Sequence, residues 1–310
     1  MNILNNIKKF SNPNITLKGL PRARVTLNKM ETLWFNTGTL CNVSCKNCYI
    51  ESSPKNKRLV YLKSYEVSKF LNELKYLPNN NQIGFTGGEP FMNPDIMFMI
   101  NDSLSRGYKV LVLSNGMKPM HKHFSSLIKI KDKYNDLFKI RISLDHYNKC
   151  VHESNRGPNT WGPVIYGLHW LNDNGFKYTI ACRQLNNESE IKIRKGFSEL
   201  VAKENLDIDV SDNKELVLFP EMEIEQDTPE ITENCWKILD VNPESLMCSN
   251  SRMVVKKNGS NFPNVQACTL IAYEEEFNLG LNLKESVKNV SLNHPFCSQF
   301  CVLGKSSCSN

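Results

Sequence analysis

Six short apolar runs alternate along this chain with longer stretches whose apolar positions recur at helical spacing. The runs are Leu33–Asn36, Ile83–Thr86, Lys109–Leu113, Ile140–Leu144, Tyr178–Cys182 and Leu216–Phe219. They have the length and residue types of strands. Between them, Ser64–Leu77, Ile96–Arg106, His121–Tyr134, Val164–Asn174 and Glu190–Lys203 repeat apolar residues every three or four positions, which predicts helices. Strand and helix in regular alternation predict an α/β fold, a parallel sheet with crossover helices. Six strands suit a partial barrel, and a doubly wound sheet satisfies the same pattern. Past residue 220 the alternation stops. The acidic run Pro220–Glu225 is followed by Pro229, and then by a cysteine-rich tail with short strands such as Arg252–Lys256. The expected division is a polar lead-in over 1–31, a barrel over 32–220 and a small cysteine-rich α+β extension over 221–310.

Composition sharpens this in two places. With 40% hydrophobic and 23% charged residues, the 310-residue chain can bury a sizeable core. Eleven cysteines are many for such a chain. In a reducing compartment they point to metal ligation rather than disulfides. The formal charge of +6 favours anionic partners but is too small to argue nucleic-acid binding. Met1–Lys18 holds no apolar run long enough for a signal peptide or a membrane span, so a cytoplasmic location is expected. Lys8, Lys9, Lys18, Arg22 and Arg24 make the lead-in read as solvated, with a phosphate- or peptide-docking arm as the alternative.

The densest chemistry follows the first strand. Cys41, Cys45 and Cys48 are spaced C-x3-C-x2-C on the loop after Leu33–Asn36. Three thiolates can hold three irons of a cubane [4Fe–4S] cluster and leave the fourth iron open. Zinc and buried free thiols are the competing readings. Gly87-Gly88-Glu89-Pro90 follows the second strand, where glycines let backbone approach closely and Glu89 can pair with an ammonium group. A plain turn has the same signature. Ser114-Asn115-Gly116 ends the third strand and Ser143-Leu144-Asp145 the fourth, with Ser143 and Asp145 on one face. Arg156, read in a loop, and Arg183, at a strand end, can each clamp a carboxylate or make a surface ion pair. His146 and His152 read as polar surface at the same mouth, and Cys150, Cys182 and Cys235 as packing residues. Cys248 and Cys268 bracket a strand and turn, and Cys297, Cys301 and Cys308 close the chain.

The cysteine triad and the Gly-Gly-Glu segment together resemble the signature of the radical S-adenosylmethionine (radical SAM) enzymes. The tail resembles their auxiliary-cluster extension, the SPASM or shorter twitch domain. The resemblance implies a partial (β/α)6 TIM barrel with the site at the C-terminal strand ends. It implies that Cys41, Cys45 and Cys48 hold the SAM-binding [4Fe–4S] cluster. Reductive cleavage of SAM there gives a 5′-deoxyadenosyl radical that abstracts hydrogen from a substrate. Gly87, Gly88 and Glu89 are implied at the SAM amino group, with Ser114, Asn115, Ser143 and Arg156 as further cofactor contacts; Asp145 stays open between cofactor and substrate. The family often has an aromatic residue directly before the third cysteine; here Asn47 stands there and Tyr49 follows the cysteine. A second [4Fe–4S] cluster is implied on Cys248, Cys268, Cys297 and Cys301, with Cys308 as the substitute ligand and structural zinc as the alternative. The implied partners are a small-molecule or peptide substrate and a reductant such as flavodoxin or ferredoxin. A non-catalytic zinc-binding or electron-transfer protein is the alternative from another class.

Overall fold

The computed structural model describes residues 8–77 and 81–309. The first seven residues of the expected lead-in and the last residue of the extension lie outside the described residues. The strands are β1 (Arg24–Val25), β2 (Thr32–Asn36), β3 (Gln82–Thr86), β4 (Lys109–Ser114), β5 (Phe138–Ser143), β6 (Tyr178–Gln184), β7 (Leu216–Pro220), β8 (Ser251–Val255), β9 (Asn264–Gln266) and β10 (Val290–Ser291). The helices that carry the argument are α1 (Ser64–Leu74), α2 (Ile96–Ser105), α3 (Lys118–His121), α4 (Phe124–Tyr134), α5 (Lys149–Arg156), α6 (Trp161–Asp173) and α7 (Glu190–Glu204).

β2 to β7 pair in sequence order, all parallel, which is the six-stranded frame expected of a partial barrel. Each strand alternates its two faces. Leu33, Phe35, Ile83, Phe85, Val110 and Val112 join the core beneath the helices. Trp34 and Leu111 belong instead to the inner core, shared with the tail. Both faces are therefore apolar, as buried parallel strands require. α1 shows why the helices dock: Val67, Phe70, Leu71 and Leu74 fall on one stripe and are all buried. Each such side chain stabilises by about 1.5–3 kcal/mol. Gly84 is needed because the Trp34 indole lies over it; a Cβ there would stand 2.2 Å from the ring.

The extension continues the barrel sheet. β8 pairs parallel with β2, and β9 folds back antiparallel on β8 as a hairpin between Cys248 and Cys268. The chain end then enters the barrel. Arg141 Nη1 donates to the Cys308 carbonyl at 3.0 Å, and Trp34 Nε1 to Ser309 Oγ at 3.1 Å.

Two expectations need correction. The lead-in is not simply solvated: β1 pairs with β10, and Arg22 is buried. Its guanidinium meets the carboxylate of Glu230 and the carbonyls of Asn12, Ile15 and Leu292, which replace its water. The helix expected at His121–Tyr134 is two helices, α3 and α4, broken at Lys122–His123. Among the described residues no helix is long and apolar enough to cross a membrane.

Candidate radical site and auxiliary cavity

The loops after β2, β3 and β4 are bonded into one unit. Gly88 N donates to the Gly38 carbonyl at 2.8 Å and Glu89 N to the Leu40 carbonyl at 3.1 Å. Backbone lies on backbone here, which explains the glycines. A Cβ on Gly88 would stand 2.2 Å from the Leu40 oxygen, and one on Gly87, at φ +137°, 2.6 Å from the Gly38 oxygen. The Gly-Gly pair thus clamps the strand end of β3 against the segment that leads into Cys41.

Glu89 is 1% exposed. Its carboxylate accepts from Phe91 N (3.2 Å), Ser114 Oγ (2.9 Å) and Asn115 N (2.8 Å). Burial lifts it to about 7 despite these donors. Ser114 Oγ also accepts from Gly116 N, so this hydroxyl is engaged in holding Glu89. Asn115 Nδ2 donates to Asn42 Oδ1 at 2.8 Å and lies 3.8 Å from Cys41 Sγ. Burial, then the Glu89 charge, push the Cys41 thiol up to about 12. Burial also raises Cys45, against the pull of Arg156. A bound metal would reverse that penalty by taking the thiolate.

The opposite wall is cationic. Asp145, 2% exposed, accepts from Arg156 Nη2 at 2.7 Å and from Asn155 Nδ2, with Arg183 Nε at 3.9 Å. Burial pushes the Asp145 carboxyl up, but the two guanidinium groups win and hold it below its ordinary value. Asp145 therefore orients arginines. Arg183 Nη1 donates to the Asn47 carbonyl at 2.6 Å, and its guanidinium lies 4.6 Å from the Tyr49 ring centre. This pins the cysteine loop to β6.

Arg156 is not in a loop. It is the last residue of α5, whose N-cap Asn148 accepts from Cys150 N and Val151 N. α5 turns His152 and Asn155 inward and leaves Cys150 exposed. His146 and His152 are buried at 2% and 1% exposure, so they are not surface groups, and Cys150 is not a packing residue. Cys182 is fully buried and Cys235 half-buried.

Cys41, Cys45, Cys48, Gly87, Gly88, Ser114, Asn115, Ser143 and Arg156 all line one cavity. Glu89 is bonded behind its wall. Three buried polar atoms of the cavity's residues have no partner among the described residues: Arg156 Nε, the Tyr49 hydroxyl and Ser52 Oγ. Tyr49 and Ser52 were missed by the sequence reading as polar cavity groups. Their position within four residues after Cys48 was the available signal. A thiol triad, a buried carboxylate and unpartnered donors around one cavity fit an iron–sulfur cluster with a zwitterionic ligand.

The tail cysteines divide between two places. Cys248, Cys268, Cys297 and Cys301 line a second cavity that is otherwise apolar. Cys248 precedes β8, Cys268 follows β9, and Cys297 and Cys301 share a π-helical turn, Cys297–Leu303. Burial holds all four thiols above their ordinary value, Cys297 and Cys301 most. Arg252, fully buried, donates to the carbonyls of Cys248, Ser251, Ser286 and Lys288 and so fixes this region. Cys308 lines the first cavity instead, where Thr269 Oγ1 donates to its sulfur at 3.5 Å. Among the described residues no three Cys, His, Asp or Glu side chains gather around one point as around a single metal ion. The thiols are arranged around cavities.

Sheet, cysteine loop and clamped Gly-Gly-Glu segment define the class, and the family comparison agrees. The Radical SAM superfamily model matches residues 35–192, half of the chain, and the chain belongs to that superfamily of enzymes, whose cofactors are a [4Fe–4S] cluster and SAM. Among curated proteins it is similar to the antilisterial bacteriocin subtilosin biosynthesis protein AlbA of Bacillus subtilis, 31% identical over 46% of this chain and 30% of AlbA. It is also similar to the AdoMet-dependent heme synthase of Nitratidesulfovibrio vulgaris, 25% identical over 45% of this chain and 36% of the synthase. The match thus spans about a third of either relative. The crystal structure of Streptococcus suis SuiB bound to precursor peptide SuiA superposes with a TM-score of 0.59 at 13% identity, over 84% of this chain and 64% of SuiB. That likeness is one of fold.

Proposed function

We propose that Cys41, Cys45 and Cys48 hold a [4Fe–4S] cluster at which SAM is reductively cleaved, and that hydrogen is then abstracted from a substrate. The observation that carries this is the clamp of Gly87-Gly88-Glu89 on the loop entering Cys41, with the Glu89 carboxylate fixed beside that cysteine. When bound, the cluster supplies the electron for cleavage and the open iron that SAM chelates. The protein's own part is positioning. Ser114 and the Asn115 amide hold Glu89, whose ionised carboxylate matches the SAM ammonium. Asp145 presents Arg156, whose free Nε suits a carboxylate. Ser143, Tyr49 and Ser52 offer hydroxyls for the ribose or the substrate. An apolar cavity with four thiols suits a second [4Fe–4S] cluster on Cys248, Cys268, Cys297 and Cys301, in an extension we place at 221–310.

A peptide is the substrate class we favour over a small molecule. Its support is the bacteriocin-biosynthesis relative and the peptide-bound fold neighbour. The test is anaerobic SAM cleavage with a strong reductant, read as 5′-deoxyadenosine. Wild type should cleave. Replacing Cys41, Cys45 and Cys48 by Ala should abolish cleavage, and retained cleavage would refute the proposal.

A further inference from the structure

A second groove lies against the cysteine loop and shares no lining residue with the radical-site cavity. Leu40, Lys57, Leu59, Val60, Tyr61, Lys63, Lys256 and Asn258 line it, and three of these are lysines. A neighbouring depression continues it through Lys57 and Asn258 to Arg58 and Lys257. Lys256 pairs with Glu66, Arg58 with Glu51 and Lys257 with Glu275. Lys57 and Lys63 are exposed and make no ion pair among the described residues. The far end of the depression meets the exposed acidic run Glu274–Glu276, so the excess positive charge sits at the end nearest the cysteine loop.

The groove borders the loop that carries the cysteine triad. Leu40 in its wall is joined directly to Cys41. Tyr61 packs on Gly38, where a Cβ would stand 2.6 Å from its ring. The wall is also tied down. Thr39 N donates to the Leu59 carbonyl at 3.0 Å, Cys41 N to the Ser53 carbonyl at 3.1 Å and Val60 N to the Lys256 carbonyl at 2.8 Å.

We infer that this groove docks an acidic one-electron carrier protein of the flavodoxin or ferredoxin class, which reduces the cluster on Cys41, Cys45 and Cys48. The inference rests on the proposed function above. One electron leaves the reduced carrier and enters the cluster, and no atom is transferred. An exposed positive rim beside the cysteine loop steers an anionic donor to that surface. The cavity side is kept for SAM and substrate.

The experiment compares two reductants on the anaerobically purified full chain, with 5′-deoxyadenosine as the readout. One is a reduced acidic flavodoxin; the other is dithionite, which needs no docking surface. In K57E/K63E the flavodoxin-driven rate at low salt should fall about tenfold or more. The dithionite-driven rate should stay within about twofold. The wild-type flavodoxin rate should fall as salt is added, and the variant's should hardly change. K57Q/K63Q should fall between the two. An unchanged flavodoxin-driven rate in K57E/K63E overturns the inference, as does wild type that cleaves with dithionite but not with flavodoxin. So does weaker binding of an acidic peptide by the variant with carrier-driven cleavage intact, which gives the groove to a substrate. No cleavage by wild type with dithionite would instead refute the proposed function itself.

Discussion

His152 should make the fold lose stability in acid by an amount that one substitution removes. It is 1% exposed on the inner face of α5, and neither ring nitrogen has a partner among the described residues. Its ring meets Trp161 edge-on, with centroids 5.6 Å apart. Burial, then the neighbouring Arg156 charge, lower it from an ordinary 6.5 to about 4, with Asp145 pulling the other way. Such a group favours the folded state fully above pH 6.5, where both states are neutral. As pH falls, the unfolded chain takes up its proton first. Stability is lost from 6.5 downward until the folded protein protonates near 4. The whole loss is about 3 kcal/mol, of which about 2 kcal/mol falls between pH 8 and pH 5.

The variant is His152→Leu. It gives up an aromatic contact worth about 1 kcal/mol. It also removes two unpartnered buried nitrogens, which cost at least as much. At pH 8 the two proteins should therefore lie within about 1 kcal/mol of each other. Urea denaturation of both at pH 8 and pH 5 gives a double difference in which all other titrations cancel. The wild type should lose about 2 kcal/mol more than the variant on going to pH 5. Equal losses would refute the reasoning, and would mean that His152 finds a proton-accepting partner or water in its site. The site is involved because α5 also carries Arg156: a charged His152 would stand beside that guanidinium and compete for Asp145.

Three further outcomes test other contacts. Gly88→Ala places a Cβ 2.2 Å from the Leu40 oxygen and 2.8 Å from the Thr39 oxygen, both backbone, so neither can swing away; about 3 kcal/mol of strain is expected, with loss of iron and of SAM cleavage on anaerobic reconstitution. Arg252→Met removes four donated hydrogen bonds, two of them to the carbonyls of buried Cys248 and Ser251, while Ser286 O keeps Lys288 N as donor; urea denaturation should show a loss of about 3 kcal/mol. Cys301→Ala should lower iron from about eight to about four per chain while 5′-deoxyadenosine formation with dithionite persists; iron unchanged at about eight would remove Cys301 from the ligand set, and about four in the wild type would remove the second cluster.

What the sequence let one read follows the range of the interactions concerned. The barrel strands were legible because a parallel strand buried on both faces is a continuous apolar run, as in Ile83–Thr86 and Lys109–Leu113. α5 was not, because its inward face is His152, Asn155 and Arg156, and a helix that buries polar groups has no apolar stripe to reveal it. Arg22 looked solvated for the same reason: charge marks a surface residue unless a distant carboxylate, here Glu230, neutralises it. The pairing of β8 with β2 joins residues more than 200 positions apart, and no local pattern encodes it. Within the site, residue types were legible but their partners were not. Gly87 and Gly88 suggested close approach to a ligand; they line the cavity, and the backbone of the cysteine loop also lies against them. Ser114 suggested a cofactor contact; it lines the cavity, and its hydroxyl also holds Glu89 and accepts from Gly116 N. In each case the residue acts on a neighbouring loop, and through that loop on the cavity. Side chains at the ends of parallel strands have one another as nearest neighbours. The geometry of a strand-end site is therefore set first by loop-to-loop contacts, which depend on strand order rather than on sequence proximity.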